Sequence, residues 1–427
     1  MTTDILSPTQ FMRETYQAVL PAWVEARIAS AANIHDGFEA LRKLAAERLS
    51  VLGLPNSHTE SWTLARANDA VAALQTAFEK QNSDLSAKSL GKQPSKNAAL
   101  ATIDLEPFFA SLKTEEDTLG LLSFATAPEV IFHQVKSQVE TAKEILPVTG
   151  ALPGDKEATT LAYHQAALLK VEAHAEAFIV LKPGSELSGS GPGQNTELNL
   201  SHSVLYASIG AGAQVTLVLN DLSGDSLSAL NRVQLNIEAD AKVQVYLVST
   251  GAKLSRLSFC ADLLGSGIEL KVNGLAVVTG QRQAHRHIMI RHRKPDSVSQ
   301  QMFRTAVGGE ARASVDGTIE VAVGAKRTLA SQLLKSLLLS KSARSDSKPR
   351  LLIHNDDVKC NHGATVGKLD EKQRFYLLSR GLNEAQALEL LTKAFVAAPL
   401  EDLAQGALRN QIENSLFQSL ALAEAAK

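Results

Sequence analysis

The stretch that decides the fold is Ile209-Gly210-Ala211-Gly212-Ala213-Gln214-Val215-Thr216-Leu217. Four small residues follow Ile209, and after them apolar Val215 and Leu217 alternate with polar Gln214 and Thr216. Such alternation predicts a strand with one buried face, whereas a run of glycine and alanine predicts a corner. The stretch therefore predicts a strand, a tight corner and a second strand.

This pattern recurs along the middle of the chain. The stretches 237–245 and 264–270 repeat it, and 171–177 has the features of an earlier copy. The corners at Ala213, Ala241 and Gly267 are 28 and 26 residues apart. A degenerate repeat of this length indicates stacked coils that bury their apolar faces against one another, as in a β-helix. A β-sandwich also gives short strands between turns, and the pattern alone does not separate the two.

The repeats lie between two regions of helical texture. We expect an N-terminal helical region over 1–150 with a polar linker near 81–98, a β core over 151–369, and a C-terminal helical domain over 370–427. Leu41, Ala45 and Leu49 recur at helical spacing before the Gly-Leu-Pro-Asn break at 53–56. A further helix is expected from Glu129 to about Ile145.

The C-terminal region carries clear helix-start signals. Asp370 followed by Gln373, and Asn383 followed by Gln386, fit N-cap and N3 pairs. The second of these helices must end before Pro399. Such a tail could cap the open end of a β-helix, or it could bind a partner.

Composition excludes several classes of function. The 427 residues carry a formal net charge of −2, so no general attraction to nucleic acid or to an anionic membrane is expected. Two cysteines imply no disulfide framework. The N-terminus lacks the basic and apolar segments of a secretory signal, and no apolar run approaches the ~20 residues that span a bilayer. We therefore expect a cytoplasmic protein that binds neither membrane nor nucleic acid.

Cys360 and His362 are the strongest candidate metal ligands. They are two residues apart in an extended segment, so their side chains would point the same way, roughly 6.5 Å apart. A thiol and an imidazole together suit zinc, copper(I) or iron–sulfur species. Two ligands do not complete a site that usually needs four, so they predict half a site, completed by another chain.

A second histidine cluster is a weaker candidate. His285 and His287 could share one strand face, with His292 nearby. The neighbouring Arg286 and Arg291 would repel a cation, which favours a structural role. The other cysteine, Cys260, lies in a predicted strand and is expected to be buried in the core.

The segment around the candidate ligands resembles the C-terminal signature of SufD, a scaffold subunit of the SUF iron–sulfur cluster assembly system. Residues 356–367 read DDVKCNHGATVG, and 375–381 read FYLLSRG. Asn361 stands where that family usually has serine. The stretches 299–304, 317–321 and 337–340 also match the family. Leu334 and Ser336 replace two asparagines that are common there, which could mean a different corner.

The resemblance implies a right-handed parallel β-helix core flanked by N-terminal and C-terminal helical regions. It also implies a scaffold without catalytic turnover, and the chain has no P-loop motif of its own. The implied partners are SufB, through an edge of the β-helix, and the ATPase SufC, through the C-terminal helices. His362 first, and Cys360 second, would bind iron or a nascent iron–sulfur cluster at the SufB interface. Whether a flavin binds the assembled complex is left open.

Two other identities compete with this one. The SufB paralogue shares the fold but has additional cysteines, whereas this chain has only Cys260 and Cys360. A β-helix enzyme acting on polysaccharide is the alternative from another class. The missing signal peptide, the aromatic content of 5% and the lack of a paired carboxylate constellation argue against it.

Overall fold

Sixteen strands in the described part of the chain form two parallel sheets. The computed structural model describes residues 20–55, 65, 67, 70–75, 104–127, 130–136, 140–144, 162–181, 199–222, 224–225 and 227–425. The polar linker expected near 81–98 lies outside these residues. Strands are numbered along the chain, so that odd-numbered strands form one sheet, the odd sheet, and even-numbered strands form the other, the even sheet.

Successive coils each add one strand to each sheet. The odd sheet contains β1 Val130–Val135, β3 Ala162–Val171, β5 Asn199–Ile209, β7 Leu227–Ile237, β9 Leu254–Leu263, β11 Gln283–His292, β13 Arg312–Val321 and β15 Arg344–Ile353. The even sheet contains β2 Glu140–Glu144, β4 Glu176–Leu181, β6 Gln214–Asp221, β8 Lys242–Ser249, β10 Glu269–Val278, β12 Val298–Val307, β14 Thr328–Leu338 and β16 Val358–Gly367. This parallel β-helix confirms the expected fold class.

The interior of the β-helix is filled by side chains from one face of its inner strands. Apolar side chains from both sheets meet there, such as Val245 and Val272 from the even sheet and Phe259 and Ile288 from the odd sheet. Each coil repeats the same inward positions, because parallel strands pair in a regular register. A single coil could not bury this face alone, and stacking therefore makes the core.

The corners between odd and even strands stack in a column. Their tip residues have positive φ, and each tip N–H from His174 to Asp240 donates to a carbonyl of the next coil at 2.8 Å. The tips are His174, Gly212, Asp240, Gly267, Asp296 and Arg327. The register makes Ile268, not Gly267, the equivalent of Ala213 and Ala241, so the predicted corner was one residue early in that coil.

Seven α-helices of the described chain have defined bounds and flank the β-helix, and residues 70–75 form a further helical stretch. The seven helices are α1 Ala22–Ala31, α2 Glu39–Leu52, α3 Glu106–Thr114, α4 Thr118–Thr126, α5 Glu371–Ser379, α6 Glu384–Ala397 and α7 Ala407–Ala425. As predicted, Gly53 ends α2 with φ of 72°, and Asn383 with Gln386 forms a full capping box at α6. α6 ends before Pro399, where a short 3-10 turn spans Ala398–Leu400.

The prediction of a helix from Glu129 to about Ile145 is wrong. The segment instead contains β1 and β2, the first strands of the two sheets. Val130 and Val135 pair with Ala166 and Val171 of β3, so tertiary pairing decides the structure of this short apolar run.

The two helical regions cover the outer faces of different sheets. α1 to α4 pack on the odd sheet, where the ring of Phe124 meets that of Tyr206 edge-on at 5.8 Å. α6 and α7 pack on the even sheet, and Ile412 and Leu416 of α7 belong to the same apolar cluster as Tyr246. The C-terminal tail therefore lies against the side of the β-helix rather than capping its end.

Candidate functional site

The C-terminal end of the β-helix is open. β15 and β16 are the last strands of their sheets, so each has a strand neighbour on one side only among the described residues. Neither strand contains a buried residue, and Leu352 and Val366 are 45% and 46% exposed. A bare strand edge presents unpaired N–H and C=O groups that readily pair with another chain.

Cys360 and His362 lie on this last coil, on the same face of β16. Cys360 pairs in register with Ala330 and packs with Ala330 and Val358 in a small apolar cluster, which marks the inward face. His362 pairs with Gln332, a buried residue of the inward row of β14. The alternation of a regular strand therefore turns both side chains toward the mouth of the β-helix, as the spacing predicted.

The two residues differ in their surroundings. Cys360 is half-buried, and this burial raises the pKa of its thiol, so the thiol is protonated at neutral pH in the isolated chain. His362 is exposed. A metal ion would have to displace the thiol proton, since the thiolate is the ligand. Among the described residues, no group of three or more histidine, cysteine, aspartate and glutamate side chains is placed to hold a metal ion.

The histidines of β11 are divided between two faces. His285 and His287 share the outward face, as their spacing predicted, and Nδ1 of His285 lies 2.8 Å from Oγ of Ser314. His292 faces inward with Nε2 2.9 Å from Oγ of Ser299, and burial lowers its pKa to about 4. Arg286 also belongs to the inward row and donates to the carbonyl of Leu275, so it does not lie beside the outward pair.

Cys260 is buried as expected, but in a charged environment. Its Sγ lies 3.1 Å from Nη1 of Arg291, which also contacts Asp262 at 3.3 Å. Burial raises the pKa of the Cys260 thiol to about 11. A protonated, enclosed thiol has the character of a structural residue rather than a reactive one.

A buried ion pair, which the sequence analysis missed, joins the N-terminal helices to the odd sheet. Glu115, at the end of α3, accepts hydrogen bonds from Nε and Nη2 of Arg232 in β7 at 3.0 and 2.9 Å. The Tyr206 hydroxyl donates to the same carboxylate at 3.0 Å. Nearby, burial alone would raise the pKa of Asp117, but Arg232 and Arg256 hold it below its ordinary value. We call Glu115, Arg232 and Tyr206 the helix clamp.

The described chain is thus a β-helix of two parallel sheets whose open last coil carries a thiol and an imidazole. The family model of the SUF system FeS cluster assembly SufBD core domain matches residues 155–395. The chain belongs to this SufB/SufD family of iron–sulfur cluster assembly proteins, and the resemblance to SufD is confirmed.

Curated relatives agree with this assignment. The iron-sulfur cluster assembly protein SufD of Escherichia coli strain K12 is 34% identical over 186 residues, which is 44% of either chain. A SufBD family protein of Synechocystis is 32% identical over 222 residues, 52% of this chain and 48% of the relative. The chloroplastic protein ABCI7 of Arabidopsis thaliana is 34% identical over 180 residues, 42% and 38%. The chain thus spans less than half the length of each of these relatives. None of the helices in the described part of the chain is both long and apolar enough to cross a bilayer.

Proposed function

We propose that this chain is a non-catalytic scaffold subunit for iron–sulfur cluster assembly, which pairs with SufB and docks the ATPase SufC. The observation that carries this proposal is the open last coil, where β15 and β16 each have a free strand edge and β16 carries Cys360 and His362. His362, with Cys360, would bind iron or a nascent cluster as cargo, and SufB would supply the remaining ligands. Family membership favours this role over action on a polysaccharide.

The proposed SufB interface is the edge formed by β15 and β16. A partner strand could continue either sheet there, because half of the backbone groups of an edge strand point away from its only neighbour. Leu352, Ile353 and Val366 would lose their exposed apolar surface on such pairing. Burial of this apolar surface would stabilise the interface by about 25 cal/mol per Å², in addition to the backbone hydrogen bonds.

Hydrogen exchange tests this interface. Adding SufB to the full chain is expected to slow exchange in residues 344–367 by at least about tenfold, since new interstrand hydrogen bonds protect the outer amides. The interior strand β9 serves as the control, because its amides are already enclosed and should not change. Unchanged exchange in 344–367 while SufB binds would show that SufB uses another surface.

The proposed SufC surface is α5 with the recess beside it. α5 has no buried side chain, and Phe375 and Tyr376 are 72% and 56% exposed. A recess of about 260 Å³ between α5, α6 and the end of β14 has Arg374 and Leu388 in its lining. Exposed aromatic side chains beside a recess are typical anchors of a protein interface.

Replacing both aromatic residues of α5 tests the docking surface. Phe375→Ala with Tyr376→Ala should weaken SufC binding at least about tenfold, since a single aromatic anchor contributes about 2 kcal/mol or more. The matched control is Val323→Ala, which removes a 76% exposed apolar side chain from a corner of the β-helix. Titration calorimetry with SufC measures both, and equal affinities would contradict the assignment. Removing α6 and α7 altogether would be a poorer test, because it strips the apolar cover from the even sheet.

A further inference from the structure

A column of inward side chains runs along the even sheet and ends at His362. The register places Val245, Val272, Gln301, Gln332 and His362 in successive coils at one position of the strand. The two inner coils have valine there, and the two coils beneath His362 have glutamine. The inward side chains at this position therefore change from apolar to carboxamide in the two coils that precede the last one.

The two glutamines are buried but not fully hydrogen-bonded. Gln301 and Gln332 are 3% and 1% exposed, and Nε2 of Gln332 donates to Oε1 of Gln301 at 2.9 Å. Oε1 of Gln332 and Nε2 of Gln301 have no hydrogen-bond partner among the described residues. A buried polar atom without a partner is costly, whereas valine would fill this column without that cost.

The opposite sheet leaves space for the Gln332 carboxamide. Phe259, Ile288 and Gly317 occupy successive coils at one inward position of the odd sheet. A Cβ atom at Gly317 would lie 2.1 Å from Nε2 of Gln332, so a larger residue at 317 would force the amide group out of its present position. The Gln332 carboxamide therefore extends from the even sheet into space left by Gly317 of the odd sheet, one coil below His362.

Neighbouring strands are about 4.8 Å apart, which brings the Gln332 carboxamide within reach of the His362 imidazole through side-chain rotation. A histidine that binds a metal usually donates its other ring N–H to a fixed acceptor, which sets its tautomer and orientation. The orphan Oε1 of Gln332 can serve as an acceptor of this kind, and Gln332 lies one coil further inside the β-helix than His362.

We propose that Gln332 is a positioning residue for His362. Its carboxamide oxygen accepts the N–H of one imidazole nitrogen and leaves the lone pair of the other nitrogen directed out of the open end, toward the iron. This inference deepens the proposed function and rests on it for the identity of the metal. The carboxamide of Gln332 has no hydrogen bond to His362 in the structure, so the proposed bond forms by rotation of that carboxamide. It involves only residues of this chain, so it can be tested in the free chain without any cargo.

Nitrogen NMR of the full chain labelled with ¹⁵N-histidine tests the proposal, with His362→Gln used to assign the signal. In wild type, one His362 tautomer should dominate. Gln332→Leu should change the tautomer ratio about fivefold, the fold-change that corresponds to a hydrogen bond of about 1 kcal/mol. Gln332→Met offers the same loss of acceptor if the leucine variant does not fold, and Gln332→Glu, which keeps an acceptor, should retain the wild-type signature.

Gln301→Leu is the matched control. It breaks the same glutamine–glutamine hydrogen bond but leaves Oε1 of Gln332 in place, so the tautomer ratio of His362 should stay as in wild type. An unchanged ratio in folded Gln332→Leu or Gln332→Met overturns the positioning role. A normal cluster yield in a complex that contains His362→Ala would instead reject the proposed function, and it would leave the tautomer result as it stands.

Discussion

His362→Ala should lower the yield of iron–sulfur cluster at least about tenfold when the complex with SufB and SufC is reconstituted anaerobically with Fe²⁺ and sulfide. Loss of a residue that only supports a metal ligand already costs 10- to 100-fold, and loss of the ligand itself should cost no less. The side chain is exposed on the last coil, so the free energy of unfolding should change by about 0.5 kcal/mol or less. Iron and sulfide content per complex and the melting temperature measure the two effects.

Two further variants sharpen this experiment. His35→Ala removes another exposed histidine, on the N-terminal side of the chain, and should leave the cluster yield unchanged. Cys360→Ala should lower the yield if the thiol is a ligand, and should lower only the melting temperature if the thiol mainly packs on Ala330 and Val358. A wild-type yield with His362→Ala would remove that histidine from the site.

Arg232→Met should destabilise the N-terminal helical region by about 3–5 kcal/mol, because it leaves the Glu115 carboxylate buried without its charge partner. Glu115 and Arg232 are only 5% and 6% exposed, so water cannot replace the lost hydrogen bonds. Urea unfolding followed by hydrogen exchange in α3 and α4 would locate the loss in these helices.

The double variant Glu115→Gln with Arg232→Met removes both charges and should recover at least half of this loss. Arg327→Met is the control for removal of an arginine from an ion pair, since Arg327 and Asp296 pair at the surface with side chains 58% and 44% exposed. Exposed pairs contribute about 0–1 kcal/mol, so this variant should unfold almost as wild type does. Equal destabilisation by Arg232→Met and Arg327→Met would show that the helix clamp contributes little to the free energy of unfolding.

The local pattern of the sequence predicted the coils and the shared face of Cys360 and His362, because strand alternation and small-residue corners act over a few residues. The corner at Gly267 was placed one residue early because glycine and alanine fit either of two adjacent corner positions. The helix expected after Glu129 failed for a related reason. A short run such as Val130-Ile131-Phe132 suits either element until β3 is there to pair with it.

Contacts between distant residues were beyond what the sequence could predict. Glu115 and Arg232 are 117 residues apart in the chain, and nothing in their immediate neighbours indicates that they meet. The column from Gln301 to His362 likewise requires the register of three strands about 30 residues apart. Leu334 and Ser336, which had suggested a different corner, lie within β14 and not at a corner. These contacts depend on the register of the strands, which the structure shows and the sequence alone does not predict.

The open end also has a thermodynamic consequence. In a stacked array, the stability of each unit is the sum of its own folding free energy and of its interfaces with adjacent units, and a terminal unit has one such interface instead of two. The coil that carries Cys360 and His362 is such a terminal unit, so it is more prone to fray in the free subunit than the inner coils are. A partner that docks there supplies the second stabilising interface. Association of the subunits and ordering of the two ligands are therefore thermodynamically linked, and each favours the other.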